Sequence, residues 1–370
     1  MAARSIDLGG LRLLCPPLHA PSHCQTKTFM IASDPHHALL ALAIPVAAAL
    51  ICACLIIALR PLLQRYALAR PNARSSHSVP TPQGGGIAVM LAVATGAALA
   101  GVSGGSGVDG AIPIVLTAAF CMATIGMVDD LRPIPVIPRL TLQTATIVFL
   151  FAALPSQIRM LESIPIWLER ALLVLGLVWF INLVNFMDGL DWMTVAEMLP
   201  LAVTLSGLAY FGVAPSSILP VTLALTGALL GFTPFNRPVA RLFLGDVGSL
   251  PIGLLTGWCL IELANQQHLV AAVLLPLYYL ADATITLLRR LISGERFWDA
   301  HRSHFYQRAT DNGFSVRDVV GNVFLTNLVL AALAIASAVI HSTSVDVIAL
   351  ILGSLPVMAL LVRFSRRRVA

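Results

Sequence analysis

Short segments that could bind phosphate and metal ions recur along this sequence, each beside a long apolar stretch. The first, "GMVDDLRP", carries the adjacent carboxylates Asp129 and Asp130 at the end of an apolar segment. Neighbouring carboxylates repel each other, and burying them without a partner is costly. A divalent cation would relieve the repulsion, and oxygen ligands without nearby histidine or cysteine favour Mg²⁺, with Mn²⁺ as a substitute. The alternative is a solvated helix end with both carboxylates in water.

The second segment, "NLVNFMDGLD", repeats polar residues at intervals of three. Asn182, Asn185, Asp188 and Asp191 follow this spacing across the end of an apolar stretch. Residues three apart share a helix face, so we expect the first three to point the same way before Gly189 ends the helix. Amide and carboxylate groups placed like this suit a ribose, a base edge or a metal-bound water. The alternative is that the asparagines hold helices together.

The third segment, "FNRPVARLFLGDVGS", places Asp246 between Gly245 and Gly248 where an apolar stretch begins. Glycine permits close backbone approach, and free amides at a helix start can bind phosphate. Upstream, Asn236 and Phe243 supply an amide and a flat aromatic surface. We therefore expect Asp246 to lie in a phosphate-binding or metal-binding site.

The fourth segment, "AHRSHFYQR", places His301 and His304 on either side of Arg302. Imidazoles beside guanidinium groups form an anion site suited to a monophosphate or a diphosphate. A zinc site is the rival interpretation, but a third ligand is missing from the segment. Near the beginning of the chain, "HSVPTPQGGG" adds three consecutive glycines, whose backbone a phosphate or a substrate could approach.

The elements that must position these segments are membrane helices. Of the 370 residues, 58% are apolar and only 11% are charged, whereas a soluble domain carries about a quarter charged residues. Apolar runs of about twenty residues predict an all-α integral membrane protein, a polytopic bundle of about 11 transmembrane helices. The predicted spans are residues 37–59, 86–103, 111–128, 140–155, 166–184, 197–213, 217–233, 248–264, 268–288, 319–340 and 345–363.

Arginine is distributed unevenly between the two sides of this bundle. Arginine-rich segments at 60–74, 132–139, 237–241, 289–317 and 363–368 alternate with segments that contain almost none. The positive-inside rule then places the N-terminus in the periplasm and the C-terminus in the cytoplasm. All the polar segments described above fall on the cytoplasmic face, where we expect the active site. Because topology explains the net charge of +5, we expect no nucleic-acid partner.

The predicted organisation is one membrane domain with two short flanking segments. Residues 1–36 form a proline-containing arm without a spanning run, and we expect a start-site artefact with Met30 as the first residue. The alternative is a genuine external arm. Residues 37–363 form a single transmembrane catalytic domain, and residues 364–370 form a basic cytoplasmic tail.

Five of these segments, in order, carry a family resemblance. "HSVPTPQGGG", "GMVDDLRP", "NLVNFMDGLD", "FLGDVGS" and "AHRSHFYQR" resemble the polyprenyl-phosphate N-acetylhexosamine-1-phosphate transferases. This family includes phospho-N-acetylmuramoyl-pentapeptide translocase and the enzymes that start O-antigen and enterobacterial common antigen synthesis. The resemblance implies transfer of a sugar phosphate from a UDP-sugar to polyprenyl (undecaprenyl) phosphate, with release of UMP and a requirement for Mg²⁺. It also implies a bacterial inner membrane location, with a homodimer as an open alternative to a monomer.

The resemblance also assigns roles to residues. Asp129, Asp130 and Asp246 match the catalytic and metal-binding aspartates. The remaining matched positions are expected to contact substrate. The nucleotide pocket matches Asn185, Asp188 and Asp191, the uracil site matches Asn236 and Phe243, and the pyrophosphate loop matches His301 and His304. We expect Arg302 in that loop to bind phosphate oxygens as well.

One departure from the family bears on the substrate. The loop reads "HRSHFYQR" rather than three histidines followed by an acid, so we do not expect a muramoyl-pentapeptide donor. The pattern favours the branch that uses UDP-N-acetylglucosamine or its deoxy and amino derivatives and initiates O-antigen-like polysaccharides. The rival function is a polytopic transporter or flippase for a polar or lipid-linked solute. A transporter should place ionisable residues near mid-helix, whereas these residues lie at helix ends.

Overall fold

The structure is a computed structural model that describes residues 35–69, 80–103, 110–154, 158–161, 163–295 and 301–368. Residues 1–34 of the predicted arm, residues 77–79 at the beginning of the "HSVPTPQGGG" segment, and tail residues 369–370 lie outside the described residues. All the predicted site residues lie within them. The expectation of a start-site artefact therefore remains a prediction.

Helices make up most of the described chain, and one pair of two-residue strands accompanies them. Leu68–Ala69 (β1) and Thr81–Pro82 (β2) pair antiparallel, with Leu68 opposite Pro82. The helices are α1 (Pro35–Tyr66), α2 (Gly85–Ser103), α3 (Ala111–Leu131), α4 (Val136–Ala153), α5 (Ile166–Met187), α6 (Met193–Tyr210), α7 (Leu219–Phe232), α8 (Asp246–Asn265), α9 (Leu269–Leu274), α10 (Leu277–Ile292), α11 (Phe305–Asp311), α12 (Val316–Ile340) and α13 (Thr343–Ser365).

The long apolar helices confirm a polytopic all-α membrane protein. Among the described residues, eight helices are long and apolar enough to cross a membrane: α1, α3, α4, α5, α6, α8, α12 and α13. Two further apolar helical stretches, Gly85–Gly101 in α2 and Ser216–Phe232 ending α7, are shorter. The predicted span 268–288 is divided into α9 and α10, where Pro276 has no amide hydrogen to continue the helix. Eleven crossings therefore remain a prediction.

Helix α8 lies at the centre of the bundle. It packs against α2, α3, α5 and α9, and almost every residue along it is buried, including Trp258. Helices α1 and α13 expose many large apolar side chains, as lipid-facing helices do. The central position of α8 is what brings its first residue, Asp246, into contact with neighbouring helix ends.

The polar helix ends meet on one side of the bundle. The C-terminal end of α3 contacts the N-terminal end of α8 through Asp130 and Asp246, and Asp188 after α5 binds Thr194 in α6. The opposite side has a network of its own. There Arg159 pairs with Glu169 at 2.9 Å and donates its backbone N–H to the Asn265 side chain at 3.0 Å. The predicted phosphate-binding segments therefore share one face.

Candidate active site

Asp130 joins α3 to α8 through two hydrogen bonds. Its Oδ1 accepts the amide of Asp246 at 3.0 Å, and its Oδ2 accepts the amide of Val247 at 3.1 Å. First-turn amides have no partner within their own helix, so the carboxylate supplies the missing acceptor. The approach is close, since a Cβ on Gly126 of α3 would lie 2.2 Å from the Asp246 carbonyl oxygen. The expectation of free amides for phosphate at this helix start is therefore wrong, because Asp130 already occupies them.

The consecutive glycines of "HSVPTPQGGG" were expected to let a phosphate or a substrate approach their backbone, and the structure gives two of them another role. Gly85 and Gly86 donate their amides to the carbonyl oxygens of Phe243 and Leu244, both at 2.9 Å. A Cβ on Gly86 would lie only 2.3 Å from the Cα of Gly248. These glycines therefore let the start of α2 pack directly against the start of α8, and their amides are not available to a phosphate.

Asp129 turns away from its neighbour and binds the next loop and helix. It accepts the Arg139 guanidinium at 2.7 Å and the backbone amide of Ile134 at 2.6 Å. Both side chains are largely buried, with exposed fractions of 9% for Asp129 and 18% for Arg139. The repulsion expected between Asp129 and Asp130 is thus eased by protein donors on both residues.

Asp246 stands where these interactions converge. Its Oδ1 accepts a hydrogen bond from Asn185 at 2.7 Å, and the same amide group donates to Ser249 Oγ at 2.9 Å. The Asp246 carboxyl group also lies close enough to Asp129 and Asp130 to feel their charges. Three carboxylates and the Asn185 amide therefore meet at the junction of α3, α5 and α8.

The donor chemistry of this junction fits a hard divalent cation. The side chains offer carboxylate, amide and hydroxyl oxygens and no sulfur or imidazole, which is the set that Mg²⁺ prefers. Among the described residues, however, no three acidic, histidine or cysteine side chains form a ready-made metal cage. The predicted cation would have to share Asp129 and Asp130 with Arg139 and the backbone amides. The metal-binding assignment of the three aspartates stays a prediction.

Asn182 and Asn185 have different roles: Asn182 links two helices, and Asn185 contacts the carboxylate junction. Asn182 is buried and donates to Gln143 Oε1 of α4 at 2.7 Å and to its own helix at the Val178 carbonyl at 2.8 Å. It therefore links α4 to α5, as an interhelical asparagine does. Asn185, one turn later, binds Asp246.

Asp188 follows the last residue of α5 and accepts a short hydrogen bond from the Thr194 hydroxyl. Burial raises the pKa of Asp188 to about 7, and the charges of Asp130 and Asp191 act in the same direction, against the Thr194 hydrogen bond. A carboxyl group with this pKa can hold or release a proton near neutral pH.

Asp191 and Asn236 fasten the loop before α8 to the loop before α6. Asp191 Oδ2 accepts the amide of Ala240 at 2.9 Å. Asn236 accepts the amide of Trp192 at 2.7 Å and donates to the Leu242 carbonyl at 3.0 Å. The side-chain amide of Asn236 is thus engaged at both ends by the backbone. Its predicted contact with a base remains untested, and in the structure it orders the loop.

Phe243 is half-buried on this loop, and its amide donates to the Pro82 carbonyl at 2.8 Å. This bond ties the loop to the strand pair that precedes α2. Earlier in the same loop, a cavity of about 390 Å³ is lined by Pro234, Arg237, Pro238, Val239 and Arg241. The loop therefore presents an aromatic ring and a basic cavity on the face that carries Asp246.

The histidine segment folds against the end of α5. The rings of His301 and His304 stack with their centroids 4.9 Å apart, and His304 is buried. The Tyr306 hydroxyl donates to the Phe186 carbonyl at 2.9 Å. The short helix α11, which the sequence did not predict, begins one residue after His304.

Arg302 points away from this pair of histidines. Its guanidinium lies 3.2 Å from Asp311 and donates to Thr310 Oγ1 at 3.1 Å, both at the end of α11. The predicted contact of Arg302 with phosphate would require it to leave these partners. That assignment stays a prediction.

A cavity of about 460 Å³ connects these groups. Its walls are apolar side chains of α4, α5 and α10 (Val136, Leu140, Leu175, Val178, Trp179, Phe186 and Leu287). Its polar lining consists of Arg139, Asn182, Asn185, His301, His304 and Gln307. Because Asn185 also binds Asp246, the cavity reaches the carboxylate junction.

Sequence reasoning missed Arg139 as a site residue. It was counted only among the arginines that set topology, although it binds Asp129 and lines the cavity. Its position six residues after the end of "DDLRP", at the start of the next apolar stretch, is the available signal. Asp282 lies in none of the five polar segments, and its contact with His304 could not be read from the sequence.

Comparison with known proteins finds sequence similarity to one family of transferases. The model of glycosyl transferase family 4 matches residues 112–264, which run from α3 to the end of α8. A decaprenyl-phosphate N-acetylglucosaminephosphotransferase of Mycobacterium tuberculosis is 28% identical over 345 residues, covering 81% of this chain and 83% of the relative.

Two further relatives show the breadth of the similarity. A Bacillus subtilis protein described as a "probable undecaprenyl-phosphate N-acetylglucosaminyl 1-phosphate transferase" is 22% identical, covering 77% of this chain and 83% of its own. A phospho-N-acetylmuramoyl-pentapeptide-transferase of Ruegeria pomeroyi is 27% identical, covering 60% and 71% respectively.

Proposed function

We propose that this chain transfers an N-acetylhexosamine-1-phosphate from a UDP-sugar to polyprenyl phosphate in the membrane. Its match to the model of glycosyl transferase family 4 over residues 112–264 and its similarity to polyprenyl-phosphate transferases support this reaction. A phosphate oxygen of the lipid attacks the phosphorus that bears the sugar. The bond from that phosphorus to the bridging oxygen breaks, and UMP leaves. The products are a polyprenyl-diphosphate-sugar and UMP.

The cavity between α4, α5 and α10 is the observation that carries this proposal. It combines apolar walls with a polar end at Arg139, Asn185 and His304. A ligand with an apolar chain and an anionic end fits such a cavity, because the chain contacts the apolar walls and the anionic end contacts the polar side chains. The carboxylate junction lies beside the polar end, since Asn185 belongs to both.

The residues around the junction supply what phosphoryl transfer needs, namely positioning and charge stabilisation. Arg139 and the two histidines would hold the phosphate groups in line. Asp246, together with Asp129 and Asp130, would hold Mg²⁺, which neutralises the charge that develops on the phosphoryl oxygens. Asp188, Asp191 and Phe243 would bind the nucleotide on the other side of Asp246.

The proposal also covers the donor sugar and the cellular role of the product. The segment "HRSHFYQR" supports UDP-N-acetylglucosamine or one of its deoxy and amino derivatives as donor. The product would initiate an O-antigen-like cell-envelope polysaccharide. Arginine distribution supports a bacterial inner membrane orientation with the active site facing the cytoplasm.

The test is an assay of the purified full-length chain in detergent, with undecaprenyl phosphate and a panel of UDP-sugars, measuring UMP release. UMP should form only when the lipid phosphate is present, whereas a transporter would release no UMP. EDTA should stop the reaction, and Mg²⁺ or Mn²⁺ should restore it better than Ca²⁺. Absence of UMP with every donor would contradict the transferase, and normal turnover in EDTA would contradict the metal assignment alone.

A further inference from the structure

Asp282 is a fully buried carboxylate on α10 that receives five hydrogen bonds. Its Oδ1 accepts the amide of Phe305 at 3.0 Å, and its Oδ2 accepts the amide of Tyr306 at 3.0 Å. The hydroxyl groups of Tyr278 and Thr286, on the same helix, donate at 3.2 and 3.4 Å. The fifth partner is His304 Nδ1, 3.3 Å from Oδ1. One side chain of α10 thus anchors the start of the histidine segment.

The contact with Asp282 decides which nitrogen of His304 can reach a ligand. A carboxylate accepts but cannot donate, so Nδ1 must carry the proton that is shared with Asp282. Nε2 is then the nitrogen left for the cavity, which His304 lines together with His301. The stacked ring of His301, 4.9 Å away, keeps the imidazole from rotating out.

The charge of Asp282 also has a specific counterpart. Four of its five partners, two backbone amides and two hydroxyl groups, are neutral, and only the imidazole can become a cation. Opposite charges attract each other more strongly in a protein interior than in water. The pair can therefore offer a proton at Nε2 toward an anion in the cavity while the carboxylate balances the charge behind it.

We propose that Asp282 is a positioning residue of the transfer reaction, which holds His304 so that its Nε2 donates to a phosphate group in the cavity between α4, α5 and α10. This inference rests on the proposed function and adds a residue outside the matched motifs. Asp282 acts only through His304 and touches no substrate itself. A purely structural anchor would hold the segment without depending on the imidazole.

A double-mutant cycle separates positioning from anchoring. Asp282→Asn keeps the volume and one acceptor oxygen but removes the charge, and it should lower kcat/KM for the UDP-sugar by about 10- to 100-fold, as loss of a carboxylate behind a functional histidine does. His304→Gln should cost at least as much. In the His304→Gln background, Asp282→Asn should change kcat/KM by less than about threefold, because the residue it acts through is gone. Multiplying effects of the two substitutions would overturn the proposal.

Thr286→Val is the matched control for this cycle. It removes a hydrogen bond to the same carboxylate oxygen and leaves the charge and His304 in place. Its kcat/KM should stay within about threefold of wild type, and a loss as large as that of Asp282→Asn would assign the effect to local packing and overturn the proposal. Gel filtration and thermal melting confirm that each variant is folded before its kinetics are read.

A second measurement does not depend on activity or on the folding of an Asp282 variant. In the wild-type chain labelled with ¹⁵N-histidine, the His304 resonance is assigned as the one lost in His304→Gln. We expect Nδ1 to be protonated and its proton protected from exchange, and titration with inorganic pyrophosphate should shift the Nε2 resonance. A His304 protonated at Nε2 alone, or an Nε2 resonance that does not shift when pyrophosphate is added, would overturn the proposal. If the transferase assay failed while this pattern appeared, only the proposed function would fall.

Discussion

Each carboxylate at the junction of α3, α5 and α8 has a different kind of protein partner. Asp130 binds backbone amides, Asp129 binds the Arg139 guanidinium, and Asp246 binds the Asn185 amide. These partners hold three carboxyl groups close together before any ligand arrives. The same partners fix which oxygen atoms remain available to a cation or a phosphate.

At the residue scale, Asp246→Asn tests the centre of the site. The substitution keeps the volume but removes the charge next to Asn185, so UMP release should fall at least about a hundredfold, which corresponds to roughly 2.7 kcal/mol of transition-state stabilisation. Asp346→Asn is the matched control, because Asp346 lies on the opposite side and binds Ser337 at 2.5 Å. A near wild-type rate for Asp246→Asn would contradict the site assignment.

Arg139 and Arg132 form a second matched pair, seven residues apart. Arg139 lines the cavity and binds Asp129, whereas Arg132 is exposed. If Arg139 contacts the lipid phosphate, Arg139→Gln should lower kcat/KM for undecaprenyl phosphate by about tenfold to more than a hundredfold, since a hydrogen bond to a charged group contributes about 1.5–3 kcal/mol. Arg132→Gln should change it little. Equal effects of the two substitutions would show that Arg139 does not contact the lipid phosphate.

At the scale of elements, the site depends on backbones that approach without side chains between them. Gly126 of α3 faces the Asp246 carbonyl, and Gly86 of α2 faces Gly248 of α8. These contacts place the start of α8 within reach of Asp130. The helix ends are thereby held as a unit, and the loops before α6 and α8 are tied to each other by Asp191 and Asn236.

A pair of glycine substitutions tests this packing. Gly126→Ala introduces a methyl group where 2.2 Å is available, so it should destabilise the protein by about 1–3 kcal/mol and lower its melting temperature in detergent. Gly207→Ala in α6 meets nothing within 4 Å and should stabilise its helix by roughly 0.5–1 kcal/mol. Equal melting temperatures for the two variants would show that α3 and α8 are not in close contact in the membrane protein.

At the scale of the whole molecule, the side with the carboxylate junction and the opposite side differ in composition. The described parts of the arginine-rich segments lie on the junction side. The opposite side has the Arg159–Glu169 pair and the tilted rings of His268 and His341, whose centroids are 4.5 Å apart. Under the proposed function, a cytosolic UDP-sugar and a lipid-embedded acceptor can meet only where the active site faces the cytoplasm. The proposed reaction therefore requires the predicted orientation of the bundle.

Fusions to a reporter that is active only outside the cytoplasm test the orientation. A fusion after Ala370 should be silent, because the arginines near the C-terminus predict a cytoplasmic end. A fusion after Ser342, between α12 and α13, should be active. The opposite pattern would reverse the topology and would place the site on the wrong side for a cytosolic donor.

Local patterns in the sequence determined the membrane class, the position of every long apolar helix and the clustering of polar motifs at helix ends. Hydropathy and residue type are local properties, so they need no knowledge of which helices pack together. The tertiary structure alone decided the partners, because Asp130 and Asp246 lie 116 residues apart and Asp282 lies 22 residues from His304. The division of the span 268–288 and the use of glycine amides by neighbouring carbonyl groups also depend on packing. Such contacts arise from the three-dimensional arrangement of whole helices, which spacing along one chain does not encode.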